Sequence, residues 1–388
     1  MPERVSAHGV LDDLLRRGET SRERVRDVTL PANRIDGYPF RDAGTLASFH
    51  EILLQAERSG AVVLEWRRFY EGEELERIRL RDAPTLARFL GRPFLPERVE
   101  RAFVGLDTEG LPPWTEEALE ALRESWLKGS SRFGLKIDDA PKLPALLIAV
   151  RALEALSPEA ALDYRQFGAR YLGDSKLTRA LAAPLAALYR PRIGPQLDAR
   201  EVLAQLNLVP LAQPVLLRGP LRLSDGRQSV SADVRPHIGV PISFLHEFAL
   251  AQNPTYILTI ENQSSFNEYT GVVDDEGIVI YTAGFPTRAL QAFYRRLVAA
   301  SEAPLFHWGD TDIGGFRILK CLQGASDRAI RPHLMDGEEG GAYSKAQLAE
   351  LKRIVPVNDY VDALIQRFLD RGYGLIEQET VPARAVPS

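Results

Sequence analysis

The sequence predicts a multi-domain α/β chain: a small N-terminal α/β unit, a helical region, and a C-terminal domain built on a mostly parallel sheet. Three observations lead there. Short apolar runs at 256–260, 277–281 and 305–308 alternate with stretches of helical periodicity. Such strand–helix–strand alternation gives parallel strands with both faces covered. Nearer the N terminus, two alternating runs flank Glu71-Gly72-Glu73, a hairpin signal. Between them, residues 96–190 are rich in Ala and Leu at i, i+3, i+4 spacing.

Residues 1–95 read as one unit. Val10, Leu11, Leu14 and Leu15 share a helix face, and Gly18 is expected to end that helix. Leu46, Phe49, Leu53 and Ala56 mark a second helix stopping at Ser59-Gly60, and the hairpin follows at 62–66 and 76–80. Helices followed by a hairpin is the layout of a winged helix. Arg67, Arg68, Arg77, Arg79 and Arg81 would meet DNA phosphates there, or form the solvated face of the hairpin.

In the helical region, helices are expected at 114–126 and 142–156, punctuated by Pro112-Pro113, Pro141 and Pro158. Arg165, Arg170 and Lys176 then gather around Gly173. Asp174 or Ser175 as a helix cap, with Lys176 at the helix start, would hold a phosphate; a plain turn between two helices uses the same residues. Prolines break the connector at 191–230, which has one expected strand, Val215–Arg218, and contains the main domain boundary. The C-terminal domain covers 231–385. Ile242, Leu245, Phe248 and Ala249 suggest a helix, and the Pro- and Ala-rich tail past Thr380 is expected to fray.

Composition sets broad limits. A length of 388 residues fits two or three domains. One cysteine and no secretory signal point to a reducing, cytoplasmic setting. No apolar run approaches the roughly 20 residues of a membrane span. The net charge of −5 is not that of a simple nucleic-acid binder. From Ser231 onward there are 20 acidic and 14 basic residues, against 33 and 34 before it, so the negative balance sits in the C-terminal part.

That part carries the chemistry. In parallel sheets function collects beyond the carboxyl ends of the strands. The three runs deliver Glu261, a turn at Gly284, and Gly309-Asp310-Thr311-Asp312-Ile313-Gly314-Gly315. In extended chain, i and i+2 point the same way, so Asp310 and Asp312 aim together; an adjacent Glu261 strand adds a third carboxylate. Three unpaired carboxylates repel, and a hard divalent cation removes that penalty. Mg²⁺ or Mn²⁺ fits, keeping waters and phosphate oxygens in its shell. Such a site supports phosphodiester cleavage. Gly314-Gly315 would turn the chain into a helix over 316–322, bringing Arg317 to a phosphate. Arg288 opens the preceding helix in the same way, and ion pairs account for both arginines equally well.

Asp310 and Asp312 alone also read as a turn capping the next helix. Glu261, Gly284 and the paired glycines, in that order, favour the metal. His307 reads as a packed histidine and Cys321 as core. Glu377 and Glu379 extend the acid cluster or are exposed acids at a strand end. A helix over 345–353, capped by Ser344, reads as packing.

At these residues the sequence resembles a TOPRIM domain, the metal-binding module of topoisomerases, primases and some nucleases. That family has a Glu ending one strand and an Asp-x-Asp ending a later one, positions filled here by Glu261, Asp310 and Asp312. The longer wording is narrower. Ile260-Glu261-Asn262-Gln263-Ser264-Ser265-Phe266, Ala283-Gly284-Phe285-Pro286-Thr287-Arg288-Ala289, the stretch from His307 to Ile318, and Glu377-Gln378-Glu379 resemble the nuclease subunit of Wadjet plasmid-defence complexes, the JetD/MksG family. Gly173-Asp174-Ser175-Lys176 is similar to that family's N-terminal half. The resemblance covers residues 160–380 and, before residue 100, only the order of elements.

The resemblance implies a Rossmann-like TOPRIM catalytic domain, related in architecture to the DNA-cleaving subunit of type IIB topoisomerases. It implies a homodimer that works with an SMC-like ATPase complex and cuts circular double-stranded plasmid DNA. Glu261, Asp310 and Asp312 would hold Mg²⁺ or Mn²⁺, with Glu261 doubling as general base or acid. None of Tyr38, Tyr70, Tyr164 and Tyr171 matches the tyrosine of the topoisomerase relatives, so hydrolysis is favoured over strand passage. The alternatives are a tyrosine transesterase, or a non-catalytic DNA-binding or scaffold subunit with a vestigial site. A phosphatase with a DxD nucleophile fits less well, because its first Asp usually opens the domain.

Overall fold

The first helix forms where apolar spacing places it: α1 (Ala7–Thr20) buries Val10, Leu11, Leu14 and Leu15. It runs on past Gly18. That glycine serves packing instead, since a Cβ there would lie 2.2 Å from the Leu80 side chain. The structure, a computed structural model, describes residues 6–20, 28–157, 161–338 and 340–387. Pro158 lies outside the described residues. Cα packing divides the chain into two compact units, Met1–Arg151 and Ala152–Ser388.

In the first unit, β1 (Thr29–Pro31) precedes α2 (Ala43–Arg58), which Asp42 caps by accepting from the Thr45 N–H at 2.7 Å. The hairpin is β2 (Val62–Trp66) and β3 (Leu75–Leu80), and β1 adds to its far side in the antiparallel order β1-β3-β2. With α1, α2 and α3 (Ala83–Phe89), the sheet encloses a core around Leu11, Leu53, Val62 and Ile78. The hairpin arginines are largely paired: Arg77 and Arg79 with Glu65 at 3.2 and 3.1 Å, Arg67 with Glu74 at 2.9 Å. They form a solvated, neutralised face rather than a row of free cations. The expected helices follow as α4 (Leu95–Phe103), α5 (Trp114–Leu127) and α6 (Leu143–Glu154).

The second unit opens with β4 (Leu162–Asp163), α7 (Tyr164–Phe167), α8 (Leu177–Ile193), α9 (Ala199–Gln205) and β5 (Leu208–Val209). The stretch expected as an irregular connector is mostly ordered: it holds α9 and β5, then β6 (Val215–Arg218), β7 (Leu221–Ser224) and β8 (Ser229–Ser231). After β9 (Ile238–Val240), the helix expected over 242–249 is absent. A 3-10 turn, Ile242–Leu245, leads instead into β10 (Glu247–Leu250), antiparallel to β7. Phe248 and Leu250 pack on the core while Glu247 and Ala249 face out, so period two overrides the apparent helical spacing.

The remaining elements build the main sheet: β11 (Ile257–Ile260), α10 (Gln263–Val272), β12 (Ile278–Tyr281), α11 (Arg288–Ala299), β13 (Leu305–Trp308), α12 (Ile313–Gln323) and β14 (Ile330–Pro332). The order is β14-β13-β11-β12-β6-β9; the first four run parallel, and β6 and β9 are antiparallel additions. Every residue of β11 and β13 is buried, which explains their unbroken apolar runs. Ile260 stands opposite both Tyr281 and Trp308, so the three strands end level. The chain steps from β11 to β12 on one side, then returns to place β13 on the other. The strand order thus reverses between β11 and β13, where open α/β sheets bind their ligands.

A small pair, β15 (Gly341–Ala342) and β16 (Tyr373–Leu375), brackets α13 (Lys345–Ile354) and α14 (Asp359–Arg371). The tail does not fray. Val381, Ala383 and Val386 pack on the core, and the Arg384 carbonyl meets His333 Nε2 at 2.8 Å. Among the described residues no helix is long and apolar enough to cross a membrane.

Candidate functional site

The site is built at the β11/β13 reversal. The ladder continues one step past the strand ends, the Glu261 N–H donating to the Trp308 carbonyl at 3.0 Å. Glu261 therefore stands beside Gly309, whose missing side chain leaves room for it: a Cβ there would lie 2.7 Å from Glu261 Oε2. Glu261 Oε2 in turn accepts from the Asp310 N–H at 3.2 Å. On the other side, the turn after β12 touches the same backbone, the Gly284 N–H donating to the Glu261 carbonyl at 3.3 Å. Ala283 and Gly284 both have positive φ, 59° and 76°, which makes this turn tight.

Asp310 and Asp312 lie in the short link between β13, which ends at Trp308, and α12, which begins at Ile313, rather than in a strand; Asp312 itself keeps an extended backbone. Helix α12 thus starts earlier than expected, and both glycines fall in its first turn. Asp312 is its N-cap, Oδ1 accepting from the Gly315 N–H at 2.8 Å. Asp310 Oδ1 accepts from the Gln378 N–H at 2.6 Å. Thr311 points inward; its Oγ1 donates to the Gly374 carbonyl at 2.5 Å, and Tyr343 donates to its carbonyl.

The acids feel one another. Burial, then the Asp310 charge, then those of Asp312 and Glu377, push the Glu261 carboxyl up to about 8. Asp310 is also raised, by burial first and then by Asp312, Glu377 and Glu379, against the lowering effect of the Gln378 N–H. All these donors are hard oxygens, the type that suits Mg²⁺ or Mn²⁺. Among the described residues no group of three or more His, Cys, Asp or Glu side chains is arranged as a ready cation shell. The carboxylates meet backbone N–H groups instead. A Mg²⁺ site that keeps several waters needs only one or two of them as direct ligands.

The other expected residues separate. Glu377 and Glu379 are exposed beside the cluster, and Glu379 Oε1 accepts from Asn262 Nδ2 at 2.6 Å. Arg288 is exposed on the first turn of α11. Arg317 is held by Glu201 and Glu350 at 3.7 and 3.6 Å, the ion-pair reading. With Lys320 and Cys321, it lines a cavity of about 680 Å³. Arg165, Arg170 and Lys176 are exposed between α7 and the start of α8. Neither Asp174 nor Ser175 caps α8. The N-cap is Lys176, and Asp174 Oδ1 accepts the Lys176 N–H at 2.8 Å.

Two residues have roles here that the sequence does not signal. Glu201 on α9 is buried near Asp312; burial first, with the Asp198 and Asp312 charges, raises its carboxyl. Gln378 is almost fully buried. Its Nε2 donates to the Trp308 carbonyl at 3.1 Å and its Oε1 accepts from the Asn262 N–H at 2.9 Å. It thus ties the ends of β11 and β13 together while its backbone holds Asp310. Replacing Gln378 by Ala strands the half-buried Asn262 N–H and leaves the Trp308 carbonyl only its bond from the Glu261 N–H, at a cost of about 1–3 kcal/mol in all. The expected result is a melting temperature lowered by several degrees, read by circular dichroism. A melt identical to wild type would mean the clasp carries no weight.

A carboxylate cluster at the reversal point of an open, mostly parallel α/β sheet is the setting of a ligand or metal site. Comparison with known proteins narrows this class. Residues 226–387 match the family model described as Wadjet protein JetD, C-terminal. The Wadjet protein JetD of Bacillus cereus (strain Q1) is 22% identical over 291 residues, covering 72% of this chain and 70% of that protein. The C-terminal domain is thus of the JetD C-terminal type, and most of the chain is similar to a JetD protein.

Proposed function

We propose that this protein is a divalent-metal-dependent DNA endonuclease, the nuclease subunit of an SMC-like plasmid-defence complex, with a TOPRIM-type C-terminal domain acting as a homodimer. The similarity to JetD proteins supports the setting. The observation that carries the chemistry is the Glu261 carboxyl at the strand reversal, beside Gly309 and pushed up by burial and by Asp310 and Asp312. Glu261, Asp310 and Asp312 would hold Mg²⁺ or Mn²⁺. When bound, such an ion supplies an activated water and stabilises the leaving oxygen.

The chain's own residues do the rest. Glu261 would also act as general base or acid at the reacting oxygen. The Asp310 N–H orients its carboxyl. Arg288, exposed at the same end of the sheet, is available to a DNA phosphate, whereas Arg317 must first leave Glu201 and Glu350. The test is cleavage of circular plasmid by the full complex in Mg²⁺ or Mn²⁺. Asp310→Ala should lower the rate at least about 100-fold. Wild-type cleavage by that variant would remove the assignment.

A further inference from the structure

Thr259, Glu261, His307 and Gly309 share one face of the sheet, because Thr259 pairs with His307 and alternate residues point the same way. His307 is fully buried. Its Nδ1 meets Thr259 Oγ1 at 2.9 Å, and its Nε2 has no protein partner. A Cβ on Gly309 would stand 2.8 Å from His307 Nε2 and 2.7 Å from Glu261 Oε2. The ring nitrogen and the carboxylate therefore face each other across the space of one methyl group, and Gly309 leaves that space open. A histidine serving packing alone would be satisfied by Thr259. An unpartnered buried nitrogen is costly, and this one borders the same open space at Gly309 as Glu261 Oε2.

We propose that His307 is a positioning residue: its Nε2, fixed from behind by Thr259, holds the Glu261 carboxyl, directly or through one water, in the orientation that cation binding needs. Only the last clause rests on the metal reading of Glu261. Metal ligands are commonly oriented by such outer partners, whose loss weakens affinity about 10–100-fold.

The experiment has two arms on the full-length chain. In the first, ¹⁵N NMR follows the His307 Nε2 resonance, without metal, in wild type and Glu261→Ala. The resonance should move. If it does not, the proposal is overturned, whatever the metal does. In the second, calorimetry measures Mn²⁺ binding to His307→Gln, whose amide reaches the Nε2 position, and to His307→Asn, whose amide reaches only the Nδ1 position. His307→Asn should lose about tenfold or more in affinity, while His307→Gln stays within about threefold of wild type. Equal losses, or a loss confined to His307→Gln, would show that the Thr259 contact alone matters and overturn the proposal. A moving resonance in a wild-type protein that binds no Mn²⁺ would keep the His307–Glu261 contact and remove the metal reading. The first arm leaves His307 in place, so it stands even if the variants of the second fold poorly.

Discussion

Glu261→Gln should abolish plasmid cleavage and yet make the metal-free protein more stable above pH 8. The two effects have one cause. The Glu261 carboxyl is raised from 4.5 to about 8 in the folded protein, by burial and then by Asp310. A group raised on folding stabilises the fold fully below its unfolded value and loses that contribution as pH rises through its folded value. Wild-type stability without metal should therefore fall between about pH 4.5 and pH 8, as Glu261 is forced to ionise beside other acids. Glutamine cannot ionise, so the variant should gain on the order of 1–3 kcal/mol over wild type at pH 9. Mg²⁺ should raise the wild-type melting temperature more than the variant's, because a ligand stabilises only the state that binds it. Thermal melts from pH 5 to pH 9, with and without Mg²⁺, check this. A variant less stable than wild type at pH 9 would mean that the Glu261 charge is welcome in the fold, contrary to the coupling among these acids.

Gly315→Ala should be among the most damaging small substitutions in the second unit. In a helix, Gly to Ala normally stabilises by about 0.5–1 kcal/mol. Here a Cβ would lie 2.1 Å from the Asp310 carbonyl oxygen, which is backbone and cannot swing aside. Either α12 retreats or the Asp310 turn opens, at a cost of about 2–4 kcal/mol. Both routes disturb the N–H that Asp312 accepts from, so cleavage should fall as well. Gly314→Ala is the control. Its Cβ would meet only the Asp312 side chain, at 3.2 Å, and should change stability by less than about 1 kcal/mol. Denaturant titration of the two variants separates them. Equal stabilities would mean that the close approach at Gly315 is absent.

The sequence reveals the sheet far better than the acids' surroundings. β11, β12 and β13 are almost wholly buried, and burial writes itself as an apolar run. Glu261 is legible because it directly follows such a run, and Asp310 and Asp312 because they lie just past another, in the turn after Trp308. Their orientation is not. Asp312 caps α12, a role it shares with the ordinary turn. Gln378 stands out in the sequence only as part of Glu377-Gln378-Glu379; its role is hidden because it acts through an amide and a backbone N–H, far along the chain from the acids it serves. β1 is too short to show alternation, and β10 follows a turn whose spacing imitates a helix. The tail looked loose because Pro and Ala carry little apolar area, yet three spaced residues suffice to anchor it. Among the cations, Arg317 was found and its partners were not, since Glu201 and Glu350 lie on other helices.

The Gln378 clasp also sets an order of assembly in time. A ribosome releases Glu261 first, then Asp310 and Asp312, and only much later the residues from Gly374 to Gln378 that fasten Thr311 and Asp310. Until then the acids sit on a sheet whose edges are not yet tied. The nascent chain therefore carries an incomplete site until Gly374 and Gln378 have followed the acids they fasten.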